Sequence, residues 1–291
     1  MALLAAGVLL AGWPQGAGSR ARHDASQAAA PAPLRVVSLC SAATEAMVAL
    51  GIADRLVGVD QHSAVAGAPH VSVLATGGRL SAERLLAAKP HLAFAWWYQR
   101  GAIEQMQGLG LRVVPLRAQS VAEAVALVER VAEACSVAER GAALASRLRG
   151  ELAALAREAP AAESAPLVYL ELHSPFKSCG PGSYAHDLIV SAGGRNVAAD
   201  AGTAYPMVSS EVLLTRQPDV ILLVRAAGTP RDDLGARPGW ASLRAVADGR
   251  VHVLPNDLMS PGPRVAEAVR TLRQLLHPGL STGDTSCRFI R

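Results

Sequence analysis

Residues 136–159 read Ser-Val-Ala-Glu-Arg-Gly-Ala-Ala-Leu-Ala-Ser-Arg-Leu-Arg-Gly-Glu-Leu-Ala-Ala-Leu-Ala-Arg-Glu-Ala. Ser136 and Glu139 have the spacing of a capping box, in which the hydroxyl accepts a bond from a free backbone N–H and the carboxylate reaches back. Leu144, Leu148, Leu152 and Leu155 then recur at steps of four and three, which puts one apolar stripe on a helix. Pro160 and the Pro- and Ala-rich residues after it stop that helix. A helix of about 22 residues is about 33 Å long at 1.5 Å per residue. That exceeds the need of a crossover between neighbouring strands and matches the span of a joint between two lobes.

A repeat on either side supports the joint. Arg79-Leu-Ser-Ala-Glu-Arg-Leu-Leu-Ala-Ala-Lys-Pro-His-Leu-Ala-Phe-Ala lies before the stretch. Met207-Val-Ser-Ser-Glu-Val-Leu-Leu-Thr-Arg-Gln-Pro-Asp-Val-Ile-Leu-Leu lies after it. Without a gap, Ser81 matches Ser209, Glu83 matches Glu211, Leu85-Leu86 match Leu213-Leu214, and Pro90 matches Pro218. Each copy reads as a short helix, a proline that stops it and a buried strand. The separation is too large for a solenoid period and fits two similar α/β lobes. With 291 residues, the chain has room for both.

The expected organisation is an export signal and flexible linker over 1–33, a first α/β lobe over 34–135, the connecting helix over 136–159, a second α/β lobe over 160–278 and a polar tail over 279–291. The first segment opens on the apolar run Ala-Leu-Leu-Ala-Ala-Gly-Val-Leu-Leu-Ala-Gly-Trp, too short for a bilayer but similar to the apolar region of a secretory signal. A charged residue ahead of that run is missing, and a buried helix is the other reading. Strands and helices alternate elsewhere: Arg35-Val-Val-Ser-Leu, Arg55-Leu-Val-Gly-Val, Leu92-Ala-Phe-Ala, Arg112-Val-Val-Pro-Leu, Leu167-Val-Tyr-Leu-Glu-Leu, Val220-Ile-Leu-Leu-Val and Val251-His-Val-Leu read as strands. Helices are expected over 45–51, 103–109, from Ser120-Val-Ala-Glu to about Ala134, over 184–192, 240–246 and 265–276. This succession predicts two Rossmann-like lobes, each with a central, mostly parallel sheet, joined by one long rigid helix.

The net charge of +4 is mild and no basic run suits a phosphate backbone, so nucleic acid is not an expected partner. The sequence has no G-x-S-x-G, H-E-x-x-H, G-x-x-x-x-G-K-[ST] or G-x-G-x-x-G motif, and nothing in it requires an enzyme. The four cysteines, Cys40, Cys135, Cys179 and Cys287, form no C-x-x-C pair and leave their pairing open.

The positive signal is where the aromatics sit, because only 4% of the chain is aromatic. Ligands of parallel sheets bind outside the carboxyl ends of the strands. Trp96, Trp97 and Tyr98 occupy one such end, Phe176 follows the first strand of the second lobe, and Tyr205 precedes the second repeat copy. Flat apolar faces with a polar edge suit a large planar organic ligand. One of the two tryptophans is expected to pack the core, since strand residues alternate faces. Cys40, Ser41, His62, His173, Met259 and Arg264 also lie on strand-end loops and complete the candidate binding set. Glu83 and Glu211, equivalent positions at two helix starts, are placed to meet two arginine-bearing sockets of a pseudo-symmetric partner.

Taken together, Arg35-Val-Val-Ser-Leu, Ala-Thr-Glu, Arg55-Leu-Val-Gly-Val, the two Ser-x-Glu-x-Leu-Leu-x-x-x-Pro segments, Ala192-Gly-Gly-Arg-Asn-Val and Pro261-Gly-Pro-Arg resemble the periplasmic substrate-binding proteins of ABC importers for vitamin B12, haem and iron-siderophores, the class with a helical hinge. The resemblance covers about 34–278. Within the class, Leu92-Ala-Phe-Ala-Trp, Ser174-Pro-Phe-Lys-Ser and Tyr205-Pro-Met-Val-Ser-Ser-Glu resemble the cobalamin binders, with Tyr205 where a tryptophan is usual. The resemblance implies a monomeric periplasmic receptor that carries cobalamin, a small-molecule metal chelate, to a dimeric permease. By it, Trp96, Phe176 and Tyr205 line the pocket, Glu83 and Glu211 dock on the permease, and the protein needs no metal or cofactor of its own. Haem, with His62, His173 or Tyr98 as axial ligand, is the alternative. A ferric siderophore, held by Arg79, Arg225 or Arg264, is another. A metal-cluster enzyme subunit using Cys40 and Cys179 is the reading from a different class.

Overall fold

In the computed structural model, residues 33–63, 71–158, 165–225 and 234–279 are described. The expected export segment, nearly all of the tail and Cys287 lie outside them. The run Val-Val-Ser-Leu becomes β1 (Val36–Leu39), buried at every position. Its parallel neighbours are β2 (Leu56–Asp60) and β5 (Leu92–Trp96). Outside these lie β3 (Ser72–Thr76), β4 (Arg79–Leu80) and β6 (Arg112–Leu116), giving the order β4-β3-β2-β1-β5-β6. Only β4 runs antiparallel. Sequence reading had placed Arg79 at the head of the repeated helix segment. Instead Gly77 and Gly78, both with positive φ, make a two-residue turn that pairs Arg79 with Thr76.

The second sheet is wholly parallel: β7 (Leu167–Leu172), β8 (Arg195–Asn196), β9 (Val220–Arg225) and β10 (Val251–Pro255), in the order β10-β9-β7-β8. In each sheet the first strand of the lobe lies inside, with chain order running away from it on both sides. The crevices between β1 and β5 and between β7 and β9 are therefore switch points, where α/β sheets bind ligands.

The repeated segment folds as two matching units. Helix α2 (Ala82–Ala88) is capped by Ser81, whose hydroxyl accepts from the Arg84 N–H, and it ends on Lys89 in the left-handed region. Helix α7 (Ser210–Arg216) is capped by Ser209, which accepts from the Val212 N–H, and it ends on Gln217, also left-handed. Each leads through a proline into a buried strand, β5 or β9. The remaining helices are α1 (Ser41–Ala49), α3 (Arg100–Gly108), α4 (Val121–Ala134), α5 (Ala138–Arg157), α6 (Tyr184–Ser191), α8 (Arg244–Ala247) and α9 (Val265–Leu276). Helix α1 begins one turn before its expected start, because Ala42, Ala43 and Thr44 are buried as its first turn. The helix expected over 240–246 divides into a 3-10 turn, Trp240–Ser242, and α8.

The long helix is present, but Ser136 does not cap it. Ser136 has φ 58°, its N–H bonds Glu133 O, and the Val137 N–H bonds Ala132 O. Those two bonds are a Schellman stop for α4, with serine in the left-handed position glycine usually takes. Helix α5 starts two residues later without a side-chain cap and runs 20 residues, about 30 Å.

Helix α4 fills the space between the sheets. It packs against α1 on one side, α6 and α9 on the other, and α5 along its back. One continuous apolar core runs from β1 and α1 through α4 to α6, α9, β7 and β9. Three acceptors gather at its N-terminus. The Ser120 hydroxyl takes the Glu123 N–H at 3.0 Å, the Glu123 carboxylate takes the Gln119 N–H at 2.7 Å, and Asp187 of α6 takes the Val121 N–H at 2.6 Å. A carboxylate is favoured at that end of a helix.

Helices α4 and α5 cross closely at Gly141, where a Cβ would lie 2.3 Å from the Cβ of Ala132. Gly141→Ala is therefore expected to destabilise the protein by about 1–3 kcal/mol through overpacking, although alanine is the better helix former by about 1 kcal/mol. Gly150→Ala on the same helix, where a Cβ meets nothing within 4 Å, should instead stabilise it slightly. Urea denaturation followed by circular dichroism measures both variants.

Candidate functional site

The carboxyl end of β5 delivers three aromatics in a row. Trp96 is half-buried against the core, while Trp97 and Tyr98 are 43% and 61% exposed. One side-chain and two backbone acceptors fix this turn: Trp96 N–H to Gln99 Oε1 at 2.9 Å, Gln99 N–H to Trp96 O at 2.9 Å, and Trp97 N–H to Leu116 O at 2.9 Å. The Trp96 and Tyr98 rings lie parallel, 7° apart in plane with centroids at 6.3 Å. Trp97 meets Tyr98 edge-on at 6.1 Å. Arg117, the residue after β6, places its guanidinium 5.1 Å from the centre of the Trp97 ring.

The second lobe presents Tyr205, well exposed and within electrostatic reach of Tyr98, and, two residues on, the exposed Met207. Their loop is tied down by Ser178 N–H to Pro206 O, Gly180 N–H to Ala204 O and Val208 N–H to Phe176 O, all between 2.8 and 2.9 Å. Gly180 is required there, since a Cβ would lie 2.3 Å from Thr203 O. The two walls sense each other: burial, then the charges at Cys40, Asp60 and Tyr205, push the Tyr98 hydroxyl above its ordinary pKa. Burial does the same for Tyr205, with the Arg117 cation pulling the other way. Both phenols are therefore neutral at physiological pH.

The second lobe also holds a buried ion cluster. Glu171 of β7 is wholly buried, and its carboxylate receives Arg225 at 2.5 Å, Arg237 at 2.7 and 3.1 Å, the Phe176 N–H at 2.9 Å and the Tyr169 hydroxyl at 3.2 Å. Burial alone would raise its pKa, but bonds from Arg237, Phe176 N–H and Arg225 hold it below the ordinary carboxylate value. The pin fixes a loop in which His173 and Phe176 both take positive φ, a strained conformation for side chains of that size. The Phe176 ring rests edge-on against Trp240 at 5.8 Å, with Arg237 over it at 5.6 Å. Phe176 is thus half core and half surface.

The two lobes also meet at a seam between α1 and the segment before α9. Ser41 and Ser260 share a hydroxyl bond at 3.1 Å, and Gly262 brings its backbone against Ala42. One turn along α1, Glu45 lies near Arg264, Asp257 and Glu267, and its Oε2 is buried without a hydrogen-bond partner. The buried hydroxyl of Tyr184 on α6 is unpartnered as well and feels the Glu45 charge. Burial pushes the Glu45 carboxyl up to about 7.

The structure thus brings Trp96, Trp97 and Tyr98 together on one wall, with Tyr205 of the second lobe within electrostatic reach of Tyr98. The other candidates have different surroundings. Cys40 is fully buried and its side chain does not reach the crevice surface. Arg264 is engaged by Glu267 at 2.9 and 3.0 Å and by Asp257 at 2.8 Å, so its charge is already matched. Met259 packs half-buried against the core. His62 is exposed beyond β2, 2.9 Å from the Gln61 amide, and the exposed His173 has its pKa lowered by burial and by Lys177 and Arg225. Of the arginines named for a siderophore, Arg225 is buried against Glu171 and Arg264 is paired with Asp257 and Glu267, while Arg79 is exposed on β4. The metal-cluster alternative is corrected at Cys40 and Cys179, both sealed in the core, with the Cys179 thiol pushed up to about 12 by burial. Glu83 and Glu211 stand exposed in the first turns of α2 and α7. Arg117, which lies over Trp97, was not among the sequence candidates. Arg117 sits one residue beyond a strand end, as Trp97 does, and attending to every strand end rather than to aromatics would have found it.

Residues 36–258 match the family of periplasmic binding proteins. The chain is 30% identical over 265 residues to the cobalamin-binding protein of Halobacterium salinarum, covering 84% of this chain and 70% of that one. Its fold matches the periplasmic vitamin B12-binding protein of Vibrio cholerae at 25% identity and a TM-score of 0.69, over 84% of this chain and 96% of the other. A periplasmic haem-binding protein of Pseudomonas aeruginosa superposes at 26% identity and a TM-score of 0.75, over 85% and 94% of the two chains.

The buried carboxyl on α1 has a measurable consequence. In the folded protein Glu45 keeps its proton up to about pH 7, whereas the unfolded chain releases it near 4.5. The folded state binds the extra proton across that window, so stability is full below about pH 4.5 and falls as pH rises to about 7. Glu45→Gln, neutral throughout, should melt higher than the parent protein at pH 8 by the equivalent of about 3 kcal/mol. The gap should close by pH 4.5. Thermal melts across that pH range measure it.

Proposed function

Because the chain belongs to the periplasmic binding protein family, we propose that it captures cobalamin or a related corrinoid between its two lobes and delivers it to an ABC import permease. The observation that carries this reading is the parallel Trp96–Tyr98 pair on the first lobe, with Tyr98 close enough to the exposed Tyr205 of the second lobe to feel its charge. A corrin ring is broad and flat, with amides around its edge. Apolar ring faces stack on it and exclude water, while neutral phenols hydrogen-bond its rim. The relatives named for cobalamin and vitamin B12 support the same ligand.

Haem is the second reading, favoured by the likeness to the Pseudomonas aeruginosa protein and by two exposed tyrosines. The raised pKa of both phenols opposes direct phenolate ligation in the free protein.

Delivery rests on Glu83 and Glu211. They occupy equivalent first-turn positions on helices with matching serine caps and left-handed stops. A two-fold permease offering one basic socket per subunit would take one carboxylate in each. The receptor acts as a periplasmic monomer, exported through its first 33 residues. The core shared through α4 restricts the lobes to a small hinge motion, so binding requires little reorganisation.

Calorimetric titration with cyanocobalamin, with haem in parallel, tests the ligand. We expect one-to-one cobalamin binding, weakened about tenfold or more by Trp96→Ala. Binding of haem alone would move the ligand and keep the receptor. Docking is tested separately in vesicles carrying the cognate permease: Glu83→Ala with Glu211→Ala should leave calorimetric binding unchanged and abolish uptake. Loss of ligand binding in that double variant would place the two residues in the fold or the pocket.

A further inference from the structure

We propose that Arg117 is a specificity-determining residue that reads an anionic substituent on the rim of the bound macrocycle; the proposal rests on the macrocycle reading above and names what else the ligand must carry. On a corrinoid that substituent is the phosphodiester of the nucleotide loop.

Arg117 follows β6 directly and is exposed at the edge of the crevice. Its guanidinium lies over the Trp97 face at 5.1 Å and donates Nη2–H to the Gln119 side-chain oxygen. It also bears electrostatically on the Tyr205 hydroxyl of the opposite wall. A cation resting on an aromatic face loses little freedom when it binds an anion, because the planar fork is already oriented. Among the described residues, no carboxylate lies within ion-pairing distance of Arg117, whereas Arg225, Arg237 and Arg264 around the same crevice are all bound to carboxylates.

Space adjoins it. A cavity of about 410 Å³ is lined by Arg117, Gln119, Glu123, Ala126, Leu127 and Arg130. Its one carboxylate, Glu123, accepts the Gln119 N–H, and Arg130 donates to Pro115 O. Two guanidinium groups against one carboxylate leave the cavity net positive. A macrocycle stacked on Trp96 and Tyr98 would carry its rim substituents toward Trp97 and this cavity, where a phosphate or carboxylate meets a fork of N–H donors.

The experiment compares ligand pairs that differ in the anion. Cyanocobalamin is set against dicyanocobinamide, which lacks the phosphodiester loop, and haem against its dimethyl ester, each titrated into the parent protein, Arg117→Ala and Arg117→Lys. The parent should prefer the anion-bearing member of the pair it binds. Arg117→Ala should weaken that member about tenfold and leave the other within about twofold, so that the preference collapses. Arg117→Lys should restore part of it, and the restored preference should shrink with added salt. An equal loss for both members, meaning that Arg117 only packs against Trp97, overturns the proposal, and so does no change for either. Collapse of preference in the haem pair, with no corrinoid bound, sustains Arg117 and overturns the corrinoid ligand. Failure of the folded parent to bind either macrocycle overturns both readings.

Discussion

Helix α4 has to be apolar toward three neighbours at once, and the rest of the molecule is arranged around that requirement. Seven of its 14 residues are buried, and Ala124 and Ala132 among them let other helices approach closely. Such a helix leaves free N–H groups at a crowded end, and three side chains answer them, one of them Asp187 from the opposite lobe. Its other end turns back on a Schellman stop, which lays α5 along it at the Gly141 crossing. Arg273 of α9, buried, donates in turn to the Leu155 carbonyl near the end of α5. The two sheets are thereby held at a fixed separation by packed side chains, and the crevice between their carboxyl ends inherits that separation.

The walls of the crevice are built on different principles. On the first lobe the aromatics continue a strand, and backbone bonds to Gln99 and Leu116 hold them. On the second lobe the loop bearing Phe176 follows β7 and is pinned to it by one buried charge. Two arginines, a tyrosine hydroxyl and a backbone N–H leave Glu171 well satisfied in a place without water. Removing any one partner of such a buried ion cluster costs far more than the cluster adds over an apolar filling. Its role is positional: it lets Phe176 and His173 keep a backbone conformation that neither would choose alone.

Much of this was legible because it is local. The repeat was readable at the level of its caps, since Ser81 and Ser209 act within their own first turns and the left-handed Lys89 and Gln217 precede their prolines. Helix α9 runs over the expected Val265–Leu276, where apolar spacing is strong. Errors arose where one residue type serves two ends. A serine three residues before a glutamate suits an N-cap, yet Ser136 closes the helix before it. The Gly77-Gly78 turn was hidden because the repeat alignment claimed Arg79. In the crevice, exposed aromatics at strand ends were readable, whereas charge status was not. Whether Arg264 is free or Arg117 is engaged depends on Asp257, Glu267 and Trp97, which reach them only through the folded chain.

The buried thiols carry a consequence of another kind. Disulfide exchange proceeds through the thiolate, and a group with a pKa near 11, as burial gives Cys135, is ionised at pH 7 in roughly one molecule in ten thousand. Cys40 and Cys179 are pushed higher still. Once folded, these three buried sulfurs have almost no nucleophilic character. The fold is in that sense redox-silent: the same packing that holds the two sheets together keeps these three cysteines from forming or scrambling a bond.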